Sequence, residues 1–442
     1  MLIISHHTGE SYGLLGPQLA ATFITSYLKV PTKVIGVGRI FDREALMQFI
    51  KDHYEGKDRI VGFSYLCGRS ELLGLLDALK AIGFRVILGG PQADRDYIGE
   101  PEKGLFHHRI KGLVDKVDLC FSGPIETLEE KVFWEGQGLF RYPWTKKPYL
   151  QVDWHNLYFF SDRLYKLEVK TAQVLRGIGC PYAARTKKVL IDPPTALKQV
   201  GPIEVETKGC SFCDVAWDKG FCGYISDQDV LEQIAALPEE NGRKIPFELI
   251  DEYPLGFLPK LLYLCASEGI RLQQVNLVLR ADDLLLHHGE LKAALKEAEA
   301  LGTRIMLSSI GFESFSDRIL RNLNKGITVR ENLEAIRTIR ALKREFPQTL
   351  LYRRDEGAFH GFIHPTPWDD PETDFELQRA IGAYGLFEDI LPYHSTPLIV
   401  HHASALADWL RQIEEVHGIY FNRGLTWIEW WDWKASPKAT CP

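Results

Sequence analysis

With 442 residues, 45% of them hydrophobic and 25% charged, the chain has ordinary globular composition and enough length for two or three domains of roughly 100–200 residues. Lys and Arg number 52 against 59 Asp and Glu, a formal charge of -7, which excludes the basic coat of a nucleic-acid binder. No apolar run approaches the ~18 residues of a membrane span, and Met1 to Glu10 lack the basic start and apolar stretch of a signal peptide, so the expectation is a cytoplasmic protein with no membrane and no nucleic-acid partner.

Up to about residue 134 short apolar runs alternate with amphipathic stretches. Strands are predicted at Leu2 to Ser5, Lys33 to Val37, Ile60 to Tyr65, Arg85 to Leu88 and Val117 to Phe121, and helices at 16–29, 43–53, 70–82 and 125–134. This order predicts an α/β domain with a doubly wound parallel sheet. Such sheets take ligands outside the carboxyl ends of their strands, where this chain carries His6-His7-Thr8-Gly9, Ser64 to Ser70, Gly89-Gly90-Pro91 and Ser122-Gly123-Pro124. No GxGxxG follows the first strand and no GxxxxGK[ST] occurs, which removes support from dinucleotide and P-loop readings.

Residues 135–168 are rich in aromatics and turn formers without a sustained period and read as a linker. From about 170 the alternation resumes. Strands are predicted at Ala172 to Leu175, Phe247 to Ile250, Val275 to Leu279, Arg304 to Ser308, Ala358 to Ile363 and Asp389 to Pro392, with helices at 227–237, 257–268, 289–301, 329–345 and 372–385. Six such units predict a partial (β/α)6 TIM-like barrel over 169–402, with its chemistry at the C-terminal ends of the strands. In the tail, 403–442, an amphipathic helix precedes WIEWWDWK, whose tryptophans are expected to cover the barrel.

Eight cysteines are too few for a disulfide framework, yet Cys180, Cys210, Cys213 and Cys222 crowd into one segment, which points to metal. The C-x-x-C pair Cys210 and Cys213 lets two thiolates reach one metal or cluster. Spacing alone leaves three readings open: a cluster, a zinc site completed by Cys222, and buried free thiols.

A series of motifs decides among them by resemblance. RGIGCPY followed by CSFCD resembles the RGCPYxCSFCD signature of radical S-adenosylmethionine enzymes, divided here by the insertion Ala183 to Gly209. IDEYPLG (250–256), LRADDLL (279–285), SSIGFESFSDRILRNLNKGIT (308–328), GFIHPTPWDDPET (361–373) and LPYHSTPL (391–398) follow in the family's order. The N-terminal half resembles the cobalamin (B12)-binding, Rossmann-type domain that precedes the barrel in one branch, in GFSYLCGRSELLGLLDAL (62–79), VILGGPQA (86–93) and VDLCFSGPIETL (117–128).

The resemblance implies that Cys180, Cys210 and Cys213 hold a [4Fe-4S] cluster, leaving one iron for the amino and carboxylate groups of S-adenosylmethionine. Cys222 is the rival third ligand. It further implies that Asp251 and Glu252 meet the methionyl ammonium, that Arg280 pairs with the methionyl carboxylate or else with Asp282 or Asp283, and that Glu313 accepts hydrogen bonds from ribose hydroxyls, the alternative for this segment being a helix N-cap with Ser314 and Ser316 as candidates. Ser64, Gly89, Gly90 and Pro91 are where it puts the nucleotide tail of a cobalamin. Ile4 stands where the DxHxxG motif of that domain has aspartate, so nothing evident orients His6 as a cobalt ligand. His360 and His364 flank GFI at a strand end and are substrate-positioning or structural; His287-His288 and His401-His402 read as exposed or capping. The implied activity is a cobalamin-dependent radical methyltransferase acting on an unactivated carbon of a small molecule or peptide, supplied by a reducing electron donor. The alternatives are a radical cyclisation, rearrangement or oxidation without methyl transfer, and a non-catalytic zinc protein.

Overall fold

The structure is a computed structural model that describes residues 1–64, 66, 70–90, 116–143, 147–197, 200–213, 223–392, 395–402, 404–423 and 427–435. The chain divides into two compact units, Met1–Val174 with Ile225–Pro238, and Leu175–Tyr224 with Glu239–Pro442. Both are built on parallel strands alternating with helices, so the α/β class is observed.

The sheet of the first unit contains β1 (Leu2–His6), β2 (Lys33–Val37), β3 (Ile60–Phe63), β4 (Arg85–Gly89), β5 (Leu119–Ser122), β6 (Gly138–Arg141), β7 (Leu157–Phe160) and β8 (Leu164–Lys166), in the order β6-β5-β4-β3-β1-β2-β7-β8. All neighbours are parallel except β7 and β8. Leu2, Ile4, Val34, Ile35, Val61, Val86, Leu88 and Leu119 are fully buried, as expected of strands covered on both faces. Between the strands lie α1 (Leu15–Tyr27), α2 (Arg43–His53), α3 (Ser70–Ala81) and α4 (Glu130–Glu135). The start of α2 is fixed by Asp42, whose side chain accepts the Ala45 N–H at 2.9 Å. Because β2 and β3 flank β1 on opposite sides, the strand order reverses between β1 and β3, and Ser5 Oγ and Ser64 Oγ meet across that crevice at 3.3 Å.

Residues 135–168 are not a linker. They supply β6 to one edge of the sheet and β7 and β8 to the other. Edge strands of three or four residues, half-exposed as in β6, are too short to show a period, which is why composition dominated the reading.

The boundary between the units falls within the strand Ala172–Leu175. After Glu239, the strands Phe247–Ile250, Gln274–Arg280, Arg304–Glu313 and Leu350–Leu351 lie side by side and parallel, and Gly361–Phe362 pairs with the far end of Arg304–Glu313. The third of these strands runs past the predicted Ser308 to Glu313, its register shifting opposite Leu277 and Val278. The helix Val329–Glu345 opens with a capping box in which Thr328 and Glu331 satisfy each other's backbone N–H groups. Asp389 to Pro392 is not a strand: the Ile390 and Leu391 N–H groups turn back to the Leu386 carbonyl, and the Asp389 carboxylate is held by Arg340 and the Tyr352 hydroxyl. Asp227–Ala235 is helical as predicted, but belongs to the first unit rather than the second.

The insertion between the cysteines folds as an antiparallel hairpin, Thr186–Ile191 against Ile203–Lys208. Its inner residues Ile191, Val205, Leu197 and Val200 share one apolar core with Leu406, Trp409, Leu410 and Ile413 of the helix Ala405–His417, and with Phe421 and Ile428 of the strands after it. Trp430 packs against this core, whereas Trp431 and Trp433 are exposed, so the tail's tryptophans are divided between covering and solvent. No helix among the described residues is long and apolar enough to cross a membrane.

His360 is buried among these elements. Its Nδ1 accepts the Ile310 N–H at 3.1 Å and its Nε2–H donates to the Tyr352 carbonyl at 2.9 Å, a structural arrangement with both ring nitrogens used. Burial holds this imidazole down at about 4. Above pH 6.5 it is neutral folded or unfolded; as pH falls from 6.5 towards 4, only the unfolded chain takes up the proton, so stability is lost over that window, by at most about 3 kcal/mol at ~1.4 kcal/mol per pH unit. Urea midpoints measured from pH 7 to 4 should fall less steeply in His360→Gln than in the parent, and parallel curves would contradict this account.

Candidate functional site

The hairpin register determines where the cysteines go. Thr186 faces Lys208 at its open end, so the turns carrying Cys180 and Cys210 emerge together. Cys180 leads into the tight turn Pro181–Ala183, and the following chain returns through Gly209, whose φ of +72 suits glycine. A Cβ there would lie 2.9 Å from Ala183 Cβ, so the two turns are in contact at this point. Cys213 closes onto Cys210 with its N–H 3.2 Å from the Cys210 carbonyl. Cys210 is buried, and Cys180 and Cys213 are half-buried.

The segment Asn322 to Gly326 clasps this loop. Ser211 donates its N–H to the Leu323 carbonyl at 2.9 Å and its hydroxyl to the Asn322 carbonyl at 2.8 Å. Asn324 donates its side-chain amide to the Gly209 carbonyl and accepts the Tyr182 hydroxyl at 2.9 Å on its own carbonyl. The Tyr182 ring in turn carries the Arg280 guanidinium at 4.1 Å.

Arg280 ends its strand with its side chain buried and with each of its three nitrogens donating. Nε donates to Asp282 at 2.9 Å, Nη1 to Cys210 Sγ at 3.3 Å and Nη2 to the Lys325 carbonyl at 2.5 Å. Burial opposes its charge, but Cys210 and Asp282 outweigh that and hold the guanidinium above its ordinary range. Lys325 is buried too, its Nζ 2.9 Å from Glu313 Oε1; against the cost of burial, Glu313 and Cys210 raise its ammonium above the usual lysine value. Burial, followed by the Glu252 carboxylate, pushes the Cys180 thiol up to about 11.

Asp251 does not stand open at its strand end: it is closed into an ion pair with Arg176, which lies between the Tyr224 and Phe257 rings at 4.0 and 4.1 Å. Glu252, its neighbour, is half-buried within electrostatic reach of Cys180. Glu313 is the last residue of its strand, with φ +61, and its carboxylate lies over Gly311 and Gly361, where added Cβ atoms would meet it at 2.6 and 3.1 Å. Arg280 therefore takes Asp282, one of the partners the sequence allowed, while Asp283 goes to His287 Nδ1 at 2.6 Å. Burial pushes the Asp283 carboxyl up to about 6. His402 is buried rather than exposed, and His364 is partly exposed with Nε2 3.5 Å from Asp369.

Lys325, Tyr182, Asn324, Arg176 and Tyr253 were not anticipated. All five lie inside quoted motifs, Arg176 and Tyr182 in RGIGCPY, Tyr253 in IDEYPLG, and Asn324 and Lys325 in NKG, which is the signal that could have found them; the Tyr253 hydroxyl donates to Asp282 at 2.9 Å.

In the first unit Ser64, Gly89 and Gly90 sit at the ends of β3 and β4, beside the crevice between β1 and β3. Gly90 has φ +88, and a Cβ on it would come within 3.1 Å of the Ser64 carbonyl. Pro91 and Cys222 lie outside the described residues. His6 has an orienting partner the sequence did not reveal, the Val37 carbonyl 3.2 Å from its Nδ1.

Among the described residues no three His, Cys, Asp or Glu side chains converge as the ligands of one metal ion. A single zinc needs its donors within about 2.3 Å of one point, whereas a four-iron cluster spreads its thiolates over separate corners. Cys180, Cys210 and Cys213 are free thiols carried on two abutting turns, with the buried Arg280 and Lys325 beside Cys210. No protein-family model and no curated protein matches the chain.

Removing the Lys325 ammonium leaves Glu313 without its cation in a buried setting, so Lys325→Met should lower stability in urea unfolding by about 3–5 kcal/mol. Lys325→Met with Glu313→Leu should recover more than half of that loss. A single variant as stable as the parent would show that the pair constrains nothing.

Proposed function

We propose that the chain is a radical S-adenosylmethionine enzyme with a cobalamin-binding first unit, a methyltransferase that acts on an unactivated carbon of a small molecule or peptide. On this reading the first unit is a B12-binding-like sheet and the second a partial (β/α) barrel. One observation carries the proposal: segments that resemble the family but are far apart in sequence meet at one place, with Cys210, Arg280, Lys325 and Glu313 linked by hydrogen bonds and an ion pair and Cys180 within electrostatic reach of Arg280.

Cys180, Cys210 and Cys213 would hold a [4Fe-4S] cluster, which when bound supplies one electron for reductive cleavage of S-adenosylmethionine to a carbon radical. Arg280 and Lys325 provide fixed positive charge beside the Cys210 sulfur. Glu252, half-buried and within electrostatic reach of Cys180, is the acidic group assigned to the methionyl ammonium. Glu313 is assigned to the ribose through the carboxylate oxygen opposite Lys325. The Pro181–Ala183 turn and the Asn322 to Gly326 clasp hold the two cysteine turns in register. In the first unit, Gly90 brings the backbone close to Ser64 at the crevice where doubly wound sheets take ligands, and Ser64, Gly89 and Gly90 are assigned to the cobalamin nucleotide tail.

Anaerobic reconstitution tests the proposal. Wild type and Cys222→Ala should bind iron and sulfide and cleave S-adenosylmethionine reductively, whereas Cys180→Ala, Cys210→Ala and Cys213→Ala should do neither. Stoichiometric zinc without iron would overturn it, and an active Cys180→Ala beside a dead Cys222→Ala would reassign the third ligand. Retained hydroxocobalamin is the expected companion result; a cleaving protein that binds none would belong to radical chemistry without methyl transfer.

A further inference from the structure

We infer that Arg280 is a positioning residue that raises the reduction potential of the iron–sulfur cluster through its N–H to Cys210 Sγ, an inference that rests on the reading of Cys180, Cys210 and Cys213 as cluster ligands. The family resemblance gives this arginine the methionyl carboxylate of S-adenosylmethionine, or else Asp282 or Asp283, as its partner. In the structure each of its three nitrogens already donates within the chain, to Asp282, the Lys325 carbonyl and the Cys210 sulfur, and the side chain is buried, so the geometry points to the sulfur as the group on which it acts.

Four contacts hold the guanidinium in that one position. Asp282 fixes Nε, and Asp282 is itself held by the Tyr253 hydroxyl at 2.9 Å. The Lys325 carbonyl fixes Nη2, and Tyr182 supports the face of the plane at 4.1 Å. The remaining terminal nitrogen, Nη1, is 3.3 Å from Cys210 Sγ. A donor locked in place in a water-poor setting acts more strongly on its acceptor than one in solvent, and hydrogen bonds to cluster sulfurs are among the levers that set potential.

The direction follows from charge. On reduction the cluster takes up one electron; no bond forms or breaks, and the site gains one negative charge. A cation and N–H donor fixed at a ligand sulfur stabilises that more negative state, so the potential rises. Asp282 reduces the net positive charge but leaves the directed N–H in place. Lys325 adds a second cation near Cys210 without a hydrogen bond to its sulfur in the structure, which separates the two contributions: one is mainly field, the other field and donor together.

The test is potentiometry of the reconstituted protein without S-adenosylmethionine, with dithionite as reductant and the paramagnetic signal of the reduced cluster as readout. Arg280→Gln should disfavour reduction at least tenfold, which is 59 mV more negative for a one-electron couple. Arg280→Lys, which keeps the charge but lacks the planar fork, should fall between Arg280→Gln and wild type. Full iron content with an unmoved midpoint in Arg280→Gln would overturn the inference. If Arg280→Gln holds no iron, Arg280→Lys decides in the same way. Loss of iron from both, with wild-type circular dichroism, would make Arg280 an assembly residue and overturn its role in potential. Failure of the underlying reading is distinct: wild type itself would then hold no cluster.

Discussion

Two cations buried beside one sulfur set the terms for the second unit. A guanidinium and an ammonium taken out of water each forfeit solvation worth several kcal/mol, so the fold must return it through placed partners. Arg280 receives Asp282, Cys210 and a carbonyl; Lys325 receives Glu313. These requirements reach into the backbone. Glu313 adopts a positive φ at the end of its strand, and glycines at 311 and 361 leave room for its carboxylate. The glycines of the IGFE and HGF segments are thereby explained by where an acid must lie.

The same segment that contributes Lys325 also binds the cysteine loop. Its carbonyls at 322 and 323 take the Ser211 hydroxyl and N–H, and Asn324 spans from Gly209 to Tyr182. Charge compensation and loop placement are thus one structural problem with one solution. Tyr182 belongs to both parts, because its hydroxyl is donated to the clasp while its ring carries Arg280.

Much of the architecture was legible because buried parallel strands leave continuous apolar runs. Lys33–Val37, Ala172–Leu175 and Phe247–Ile250 fall where the sequence puts them. What escaped were elements whose identity depends on neighbours. The edge strands of 138–166 have too few residues to declare a period, and Asp389 ends in a turn because Arg340 and Tyr352 require its carboxylate there. The candidate site shows the same division. Motif order brought Cys180, Cys210, Arg280 and Glu313 into consideration and offered Asp282 to Arg280, while their pairing with Lys325 and one another is tertiary information that no spacing contains. The closure of Asp251 by Arg176 is of that kind as well: a conspicuous acidic strand end is committed to a cation 75 residues away.

The hairpin between the cysteines and the C-terminal helix with its strands bury the same apolar surface, and the Leu406 N–H even bonds to the Ser211 carbonyl within the cysteine loop. Neither addition is self-sufficient. A hairpin alone would present Ile191, Val205 and Leu197 to water, and a tail alone would present Trp409, Leu410 and Ile413. The two should therefore be inherited as a pair. A chain that closes the gap between its first and second cysteines removes Ile191, Leu197, Val200 and Val205 from the surface on which the tail packs, so the length of the one should follow the presence of the other.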